Sequence, residues 1–219
     1  MTNDLSRNTN LWNRLFVKKK FNPIYPSEEI QAFQRHHLKK ASSKILDCGF
    51  GNGRNTFFLR SFGYNIFGID SSIECVKNIK RNLNKSDGHK FKLNQFTKIN
   101  FKNNFFDAVI ADGVMYYADQ ENINNGINEI YRVLKKGGVA RINLKTNKEK
   151  FFEYSKLKKK GGGGLVKNGW EKNLLVTTHT RKQVVKLFEK FAKTMIGIHE
   201  FNFINYKKKH SFWVVTAIK

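Results

Sequence analysis

The sequence predicts an α/β fold in which helices cover both faces of a largely parallel β-sheet, the doubly wound arrangement. From Lys44 onward, short apolar runs alternate with amphipathic helical patterns, as they do in successive βαβ units. A glycine-rich turn, CGFGNGR at 48–54, separates the first apolar run from the first helical pattern. A chain of 219 residues is long enough to bury one full hydrophobic core, so we expect one such domain.

The first part of the pattern contains four strands. The apolar runs predict them at 44–48, 64–69, 90–96 and 105–111. A helix is predicted at 54–62, ended by Gly63, which can adopt the positive φ of a residue just past a helix. Ser71 and Glu74 have the spacing of a capping box, which predicts that the second helix begins there.

The second part of the pattern ends in two consecutive strands. Apolar residues three and four apart predict a helix over 123–134, and a fifth strand follows at 139–144. After an interruption, a second capping box at 180–183 begins another helix. Apolar runs at 195–204 and 211–218, joined by a short Lys-rich loop, predict an antiparallel hairpin.

Three parts of the chain are distinguished by these patterns. Residues 1–40 are predicted to be an N-terminal extension with a helix that acts as a lid, and residues 41–219 the α/β domain. Within the domain, 145–178 interrupts the rhythm and contains KKKGGGG at 158–164. Because four glycines hold regular structure at a high entropic cost, we predict a mobile insertion on the substrate side.

The charge is extreme: 41 Lys and Arg against 17 Asp and Glu give a net charge of +24. Such a charge favours nucleic acid, an anionic membrane surface or an acidic substrate as partner. The alternative is a Lys- and Asn-rich composition whose charges are spread over a solvated surface, since the lysine clusters are short and far apart in the sequence. Composition leaves both interpretations open.

Other features exclude several classes of protein. Cys48 and Cys75 have no metal-ligand spacing, so we predict no metal site and two reduced, structural thiols. Apolar runs are too short to span a bilayer, and the first residues have no apolar core of a signal peptide. The sequence therefore predicts a cytoplasmic protein without a membrane span; it does not indicate an oligomeric state.

The glycine-rich turn is the strongest functional signal. Glycine lets the backbone turn tightly and approach a ligand, and Gly49, Gly51 and Gly53 alternate directly after the first strand. A dinucleotide site would need the spacing G-x-G-x-x-G. Here an acid, Asp47, precedes the turn, which suits a cationic sulfonium better than a pyrophosphate. Asp70, at the end of the second strand, is placed to accept hydrogen bonds from ribose hydroxyls.

Four motifs in this order resemble those of the class I S-adenosylmethionine-dependent methyltransferases, and the closing FWVVTA strand resembles that of bacterial small-molecule members. The motifs are the turn at 47–53, Asp70, the strand end at 105–112 and VLKKGG at 133–138. The resemblance covers the chain from about Tyr25 onward. It implies a Rossmann-like sheet of seven strands with the last strand antiparallel, and S-adenosylmethionine as cofactor.

The resemblance also implies roles for individual residues. The glycines would approach the methionine portion, Asp70 would hold the ribose, Gln95 and Phe96 would lie beside the adenine, and Ala111 would lie near the reacting methyl group. Gln95 departs from the acid usual in the family, although an amide can still hydrogen-bond the adenine. The predicted cofactor-binding residues are Asp47, Gly49, Gly51, Gly53, Asn55, Asp70, Ser71, Gln95, Phe96, Ala111 and Tyr25, the last from the N-terminal segment.

A general base is needed only if the acceptor loses a proton as it attacks the methyl group. Our candidates for this catalytic role are His179, Tyr116 and Asp112; Tyr117, His36 and His37 are weaker ones. Packing between strand and helix explains Tyr116 equally well. A loop histidine such as His179 is more often simply exposed.

Three classes of function remain open on the sequence. The first is methyl transfer to an O or N atom of a small molecule, such as a sugar or an anionic metabolite. The second is methylation of RNA or another nucleic acid at guanine N7 or a ribose, suggested by the charge. Amino-group methylases of nucleic acids carry an Asn/Asp-Pro-Pro-aromatic motif that is absent after the fourth strand. The third is a non-catalytic cofactor-binding protein, which the intact turn and Asp70 disfavour.

Overall fold

One β-sheet organises the molecule in the computed structural model, which describes residues 4–18, 23–38, 40–149, 162–169, 171–204 and 208–219. The described strands are β1 (Lys44–Cys48), β2 (Asn65–Asp70), β3 (Phe91–Leu93), β4 (Phe106–Ala111), β5 (Leu134–Thr146), β6 (Gly162–Leu165), β7 (Leu175–His179), β8 (Lys193–Ile204) and β9 (Lys208–Ile218). The described α-helices are α1 (Asp4–Val17), α2 (Glu28–His37), α3 (Arg54–Ser61), α4 (Ile73–Arg81), α5 (Gln120–Val133) and α6 (Arg181–Leu187).

Seven of these strands form the doubly wound core. β3, β2, β1, β4 and β5 are adjacent in that order and parallel. β9 pairs antiparallel with β5 on one side and with β8 on the other, so the predicted hairpin and its antiparallel last strand are confirmed. The strand order reverses at β1, which pairs with both β2 and β4. This switch point is where open α/β sheets bind their ligands.

Two further strands correct the prediction for the insertion. β7 continues the sheet beside the end of β5, where Lys145 pairs with Thr178, and β6 pairs antiparallel with β7. Gly162 lies so close to β7 that a Cβ there would collide with the Thr178 hydroxyl, so glycine allows this approach instead of preventing a strand. Residues 150–161, which include the lysines of the KKKGGGG run, lie outside the described residues.

Helices bury both faces of the sheet. The side chains of β4 show this, because they alternate between two hydrophobic clusters on opposite faces. Val109 and Ala111 belong to one hydrophobic cluster with α5 and α6. Ala108 and Ile110 belong to a second cluster with α2, α3 and α4. Successive side chains of a strand point to opposite faces, so a strand buried on both faces is apolar throughout. This explains why the last four residues of β4, AVIA at 108–111, form an uninterrupted apolar run.

Local sequence signals determine where the helices begin and end, and one predicted helix start is wrong by one residue. Thr180 and Gln183 form the predicted capping box of α6, and Gly63 has a φ of 81° after α3. The N-cap of α4 is Ser72, whose hydroxyl accepts from the Cys75 amide, and not the predicted Ser71. As a result Ser71 lies in the turn after β2 and lines the cavity described below.

The thiols of Cys48 and Cys75 are free and buried, as predicted. Among the described residues, none of the helices is both long and apolar enough to cross a bilayer.

Candidate active site at the switch point

A cavity of about 370 Å³ opens at the carboxyl ends of β1, β2 and β4, where the strand order reverses. Its volume is in the range of small-molecule sites. The glycine turn and α1 form part of its walls. Among the described residues, the charged ones that line it are Arg54, Asp70, Asp112, Lys145 and Glu171, so their carboxyl groups outnumber their fixed cations in a strongly basic protein.

The glycine turn after β1 lies against this cavity. Gly49 has a φ of 75° and donates to the Ile69 carbonyl at 2.7 Å, which ties the turn to β2. A Cβ at Gly49 would lie 2.6 Å from the Val114 side chain, so only glycine fits. Gly51 has a φ of 55°, and a Cβ there would lie 3.5 Å from Phe16, which also lines the cavity. The missing side chain at Gly51 leaves space between the turn and α1.

Asp70 joins the turn to the end of β2. One carboxylate oxygen accepts from the Gly51 amide and the other from the Ser72 amide, both at 2.8 Å. Burial raises the pKa of Asp70 to about 6, against the opposing effect of the hydrogen bonds from Ser72, Gly51 and Ser71. Each carboxylate oxygen has a second lone pair, so Asp70 can also accept hydrogen bonds from a ligand in the cavity.

Asp112 is held at the end of β4 by three side chains. Arg54 and Asn55 from α3 donate to one of its oxygens at 2.9 and 3.0 Å. Asn143 of β5 donates to the other at 2.6 Å. The carbonyl oxygen of that amide accepts from the Gly113 amide at 2.8 Å. The network fixes an acid in the cavity wall on three elements that meet at the switch point.

Helix α1 covers the cavity, and the buried side-chain amide of Asn8 is one of the groups that hold it there. The Asn8 side chain donates to the Tyr117 carbonyl at 2.7 Å and to the Leu175 carbonyl at 2.9 Å, and accepts from the Leu175 amide at 2.9 Å. Trp12, one turn later, packs edge-on against Tyr117 with ring centroids 5.0 Å apart. The helix is thereby fixed to β7 and to the segment after β4.

A polar cluster lies at the end of the cavity away from the glycine turn. Lys145 is buried, with its Nζ 2.8 Å from Glu149 Oε2 and 2.9 Å from His210 Nδ1. Tyr117 donates from its hydroxyl to Glu171 Oε1 at 2.8 Å. The other Glu171 oxygen, Oε2, is buried and has no hydrogen-bond partner among the described residues.

Most of the residues predicted from the sequence line the cavity. These are Gly49, Gly51, Asn55, Asp70, Ser71, Gln95 and Phe96 of the predicted cofactor set, and Asp112 and Tyr116 of the predicted catalytic set.

The structure places the other predicted residues elsewhere. Asp47 is buried beneath the turn, where the Thr56 hydroxyl donates to it at 2.6 Å, and burial raises its pKa to about 7. Ala111 is fully buried in the core, and a Cβ at Gly53 would meet Ile79. Tyr25 is 78% exposed and does not line the cavity, so the structure contradicts its choice as a cofactor contact.

His179 is the clearest correction among the catalytic candidates. Its side chain is fully buried at the end of β7, and burial lowers its pKa to about 4. Its carbonyl accepts from the Trp213 indole at 2.8 Å, which fixes its backbone at the end of β7. The residue precedes a helix cap, as expected of a loop residue, but pairing of β7 with β5 draws it into the interior.

Sequence reasoning missed the residues at the far end of the cavity. Lys145, Glu171 and His210 come from three segments that are distant in the chain, and none belongs to a recognisable motif. The amphipathic pattern of α1, which includes Trp12 and Phe16, could have indicated that its apolar face covers something. No local signal marks Asn8 as the residue that fixes the helix.

Comparisons with known proteins agree with this geometry. Residues 45–138 match the family model of a methyltransferase domain. An uncharacterized methyltransferase of Schizosaccharomyces pombe is 31% identical over 80 residues, which are 36% of this chain and 55% of that protein. The chain therefore matches about half the length of this relative.

The match to a methyltransferase family thus covers residues 45–138, from β1 into the first part of β5. S-adenosylmethionine is the cofactor that this match implies.

Solved structures share the fold at low sequence identity. A S-adenosylmethionine-dependent methyltransferase from Methanosarcina mazei has a TM-score of 0.66 and 20% identity, over 89% of this chain and 98% of that one. The 1,6-didemethyltoxoflavin-N1-methyltransferase of Burkholderia thailandensis, solved with that compound and S-adenosylhomocysteine, has a TM-score of 0.61 and 17% identity. Its alignment covers 87% of this chain and 76% of that one.

Proposed function

We propose that this methyltransferase binds S-adenosylmethionine between the glycine turn and α1 and transfers its methyl group to an O or N atom of a small molecule. The observation that carries the proposal is the position of Asp70. Its carboxylate ends β2, is tied to the Gly51 amide, and lines a cavity at the switch point of the sheet.

The lining residues fit this cofactor. Asp70 keeps acceptor capacity beyond its backbone hydrogen bonds and can accept from a ribose hydroxyl, and Gly51 leaves space where a side chain would enter the cavity. Gln95 and Phe96 offer an amide and an aromatic ring for the adenine. The carboxylates of Asp70 and Asp112 give this part of the wall an acidic character, which favours a cationic sulfonium and an α-amino group.

Methyl transfer from S-adenosylmethionine mainly requires the protein to align the methyl donor with the acceptor. When bound, S-adenosylmethionine supplies a methyl group on a positively charged sulfur, which an acceptor displaces in line. The chain's own residues hold the two reactants at a fixed distance and exclude water from the space between them. Helix α1, fixed by Asn8, supplies that exclusion together with Trp12 and Phe16.

A nucleic-acid acceptor is the second candidate, and the net charge of +24 favours it. Two features of the site weigh against it. The cavity is covered by α1, and the described residues of its lining carry more carboxyl groups than fixed cations, whereas a phosphate backbone is bound by exposed lysines and arginines. We therefore favour the small molecule.

Calorimetry tests the cofactor site. We expect S-adenosylhomocysteine to bind the purified protein without added metal, and NAD not to bind. Asp70→Ala removes hydrogen bonds to a charged acceptor, which we expect to cost about 2 kcal/mol, or roughly thirtyfold in Kd. Asp87→Ala is the matched control, because Asp87 lies on the surface and pairs there with Arg60.

Preference for NAD, or an Asp70→Ala variant with unchanged affinity, would overturn the cofactor assignment. Transfer of a labelled methyl group to pools of small metabolites and of nucleic acid would then separate the two candidate acceptors.

A further inference from the structure

The end of the cavity away from the glycine turn contains its own set of functional groups, which the cofactor assignment does not use. Here the side chains of Lys145, Glu149 and His210 interact with one another, and Glu171 lies beside Tyr117. Rings of Tyr116, Phe201 and Phe212 complete the wall. This combination of aromatic rings with few, buried polar groups is typical of small-molecule sites.

On the basis of the function proposed above, we propose that the methyl acceptor binds at this end of the cavity. The acceptor is a planar ring compound whose N–H or O–H group donates a hydrogen bond to Glu171. Glu171 then takes the proton that the acceptor loses. A compound that is neutral or cationic, and not an anion, is the class of acceptor that fits.

Glu171 has an acceptor atom without a partner. Its side chain is 3% exposed, Oε1 accepts from the Tyr117 hydroxyl, and Oε2 is buried without a hydrogen bond among the described residues. A buried carboxylate oxygen without a partner loses a substantial part of its solvation. A donor from a ligand at this wall of the cavity would restore that lost interaction.

The lysine in the cavity does not make this end basic. Lys145 Nζ is paired with Glu149, whose side chain is fully buried and also accepts from the Ser211 amide at 2.9 Å. With that pair neutralised, Glu171 decides the local charge. An anionic acceptor would face a carboxylate, which contradicts the expectation from the lysine-rich sequence of an anionic substrate.

Aromatic side chains define the shape of the space. The rings of Phe201 and Phe212 are nearly parallel, at 21° with centroids 5.9 Å apart, and Tyr116 lies 5.8 Å from Phe212. Trp12 of α1 closes the same region by its contact with Tyr117. Flat apolar walls of this kind favour a planar ring over a sugar, because ring faces pack against aromatic faces.

Glu171 accepts the proton that the methyl transfer releases from the acceptor. The acceptor's lone pair forms the bond to the methyl carbon, and the electron pair of the broken carbon–sulfur bond stays on sulfur. The acceptor's proton passes to the Glu171 carboxylate, so one sulfonium charge and one carboxylate charge are lost together.

The pKa of Glu171 suits this task. Burial raises it to about 7 and Glu149 adds to the rise, while the hydrogen bond from Tyr117 and the charge of Lys145 oppose it. A base with a pKa near neutrality accepts a proton efficiently at neutral pH. Among the described residues, the titratable groups that act on Glu171 or are acted on by it are Tyr116, Tyr117, Lys145 and Glu149; His210 contacts Lys145.

Binding measurements on the protein saturated with S-adenosylhomocysteine test the proposal. The probes include two pairs of compounds, indole with 1-methylindole and phenol with anisole. In each pair the second compound has a methyl group in place of the hydrogen of the donor. The fifth probe is the anion indole-3-carboxylate. We expect each donor to bind at least about tenfold tighter than its methylated partner, from one hydrogen bond to a charged group. We also expect donor affinity to rise between about pH 6 and pH 8, as Glu171 ionises.

Glu171→Gln should abolish both the donor preference and its pH dependence, while the affinity for S-adenosylhomocysteine stays within about twofold. Glu171→Asp should retain part of the pH dependence. Glu189→Gln, the same change at an exposed position, is the control. If the glutamine variant does not fold, the paired probes and the pH profile of the unmodified protein decide alone.

The proposal would be overturned if indole-3-carboxylate bound more tightly than indole, or if neither indole nor phenol bound. It would also be overturned if the preference for indole and phenol over their methylated partners survived in Glu171→Gln. Failure of S-adenosylhomocysteine itself to bind would instead overturn the proposed function, so the two are distinguishable.

Discussion

For single residues, burial and hydrogen bonding act in opposite directions on the pKa values of the acids. Asp47, Asp70 and Glu171 are buried in or beside the site, and burial raises the pKa of each. Asp107 is partly exposed, and although its partial burial acts in the other direction, hydrogen bonds from Lys135 and the Lys44 amide lower its pKa. The acids near the cavity are therefore held at a cost to stability, as is common at functional sites.

Asp47 allows that cost to be measured. Its pKa is raised from 3.8 to about 7, so the folded state binds a proton that the unfolded state releases at lower pH. The free energy of unfolding of the wild type, relative to Asp47→Asn, should therefore be highest below about pH 4 and fall as pH rises to about 7. The slope is at most about 1.4 kcal/mol per pH unit for one proton. Urea unfolding at several pH values measures it.

Asp107→Asn is the matched control for this titration. Because the pKa of Asp107 is lowered, its contribution to stability is lost only as pH falls below the unfolded value of 3.8. The difference between wild type and Asp107→Asn should thus be flat between about pH 5 and pH 7. If the difference in the free energy of unfolding between wild type and Asp47→Asn were also flat over this pH range, the raised pKa of Asp47 would be contradicted.

At the scale of secondary-structure elements, α1 depends on tertiary contacts for its position. It is a helix of 14 residues, and helices of this length are marginal in isolation. Its apolar side chains Leu5, Trp12 and Phe16 line the cavity, and Asn8 binds two segments that are far away in the chain. Cover over the cavity is therefore only as stable as these few contacts.

Asn8→Ala should release the helix. The substitution leaves the Tyr117 carbonyl and both backbone groups of Leu175 without their partner, at about 1–3 kcal/mol for each buried group left unpaired. We expect faster amide hydrogen exchange across residues 4–17 and weaker binding of S-adenosylhomocysteine. Asn10→Ala, an exposed position on the same helix, should change neither quantity. Unchanged exchange in Asn8→Ala would show that apolar packing alone holds α1.

At the scale of the whole molecule, the charge is distributed unevenly between surface and site. The protein carries +24, yet the part of the lining that the structure describes has three carboxyl groups against one arginine and one lysine. Surface cations attract polyanions without regard to sequence, whereas the lining determines what enters the cavity. We therefore expect nucleic-acid binding and methyl transfer to be separate properties.

A salt series checks this separation. Affinity for a mixed-sequence single-stranded RNA should fall by at least about tenfold between about 50 mM and about 200 mM salt, because binding to phosphates releases counterions. Affinity for S-adenosylhomocysteine, bound in a buried site, should change far less over the same range and serves as the control. RNA binding that persists at high salt, together with incorporation of labelled methyl groups into RNA, would establish the nucleic-acid alternative.

Local patterns in the sequence were enough to predict the fold and the strand ends that line the cavity. Strand periodicity, the glycines at 49, 51 and 53 and the capping box at 180–183 are local patterns, since the residues that act together lie within a few positions of one another. Asp70 was found for the same reason, because a strand end can be located from the pattern of the strand alone. The topology then brings these strand ends to one edge of the sheet.

Contacts between distant segments, in contrast, form the cover of the cavity and its end away from the glycine turn. Asn8, Lys145, Glu171 and His210 come from four separate segments, and their meeting depends on how β7 and β9 pair with β5. The same pairing buries His179, which local sequence suggested to be a loop residue. Burial, hydrogen bonding and pKa depend on neighbours that are distant in the chain, and a single sequence does not contain those distances.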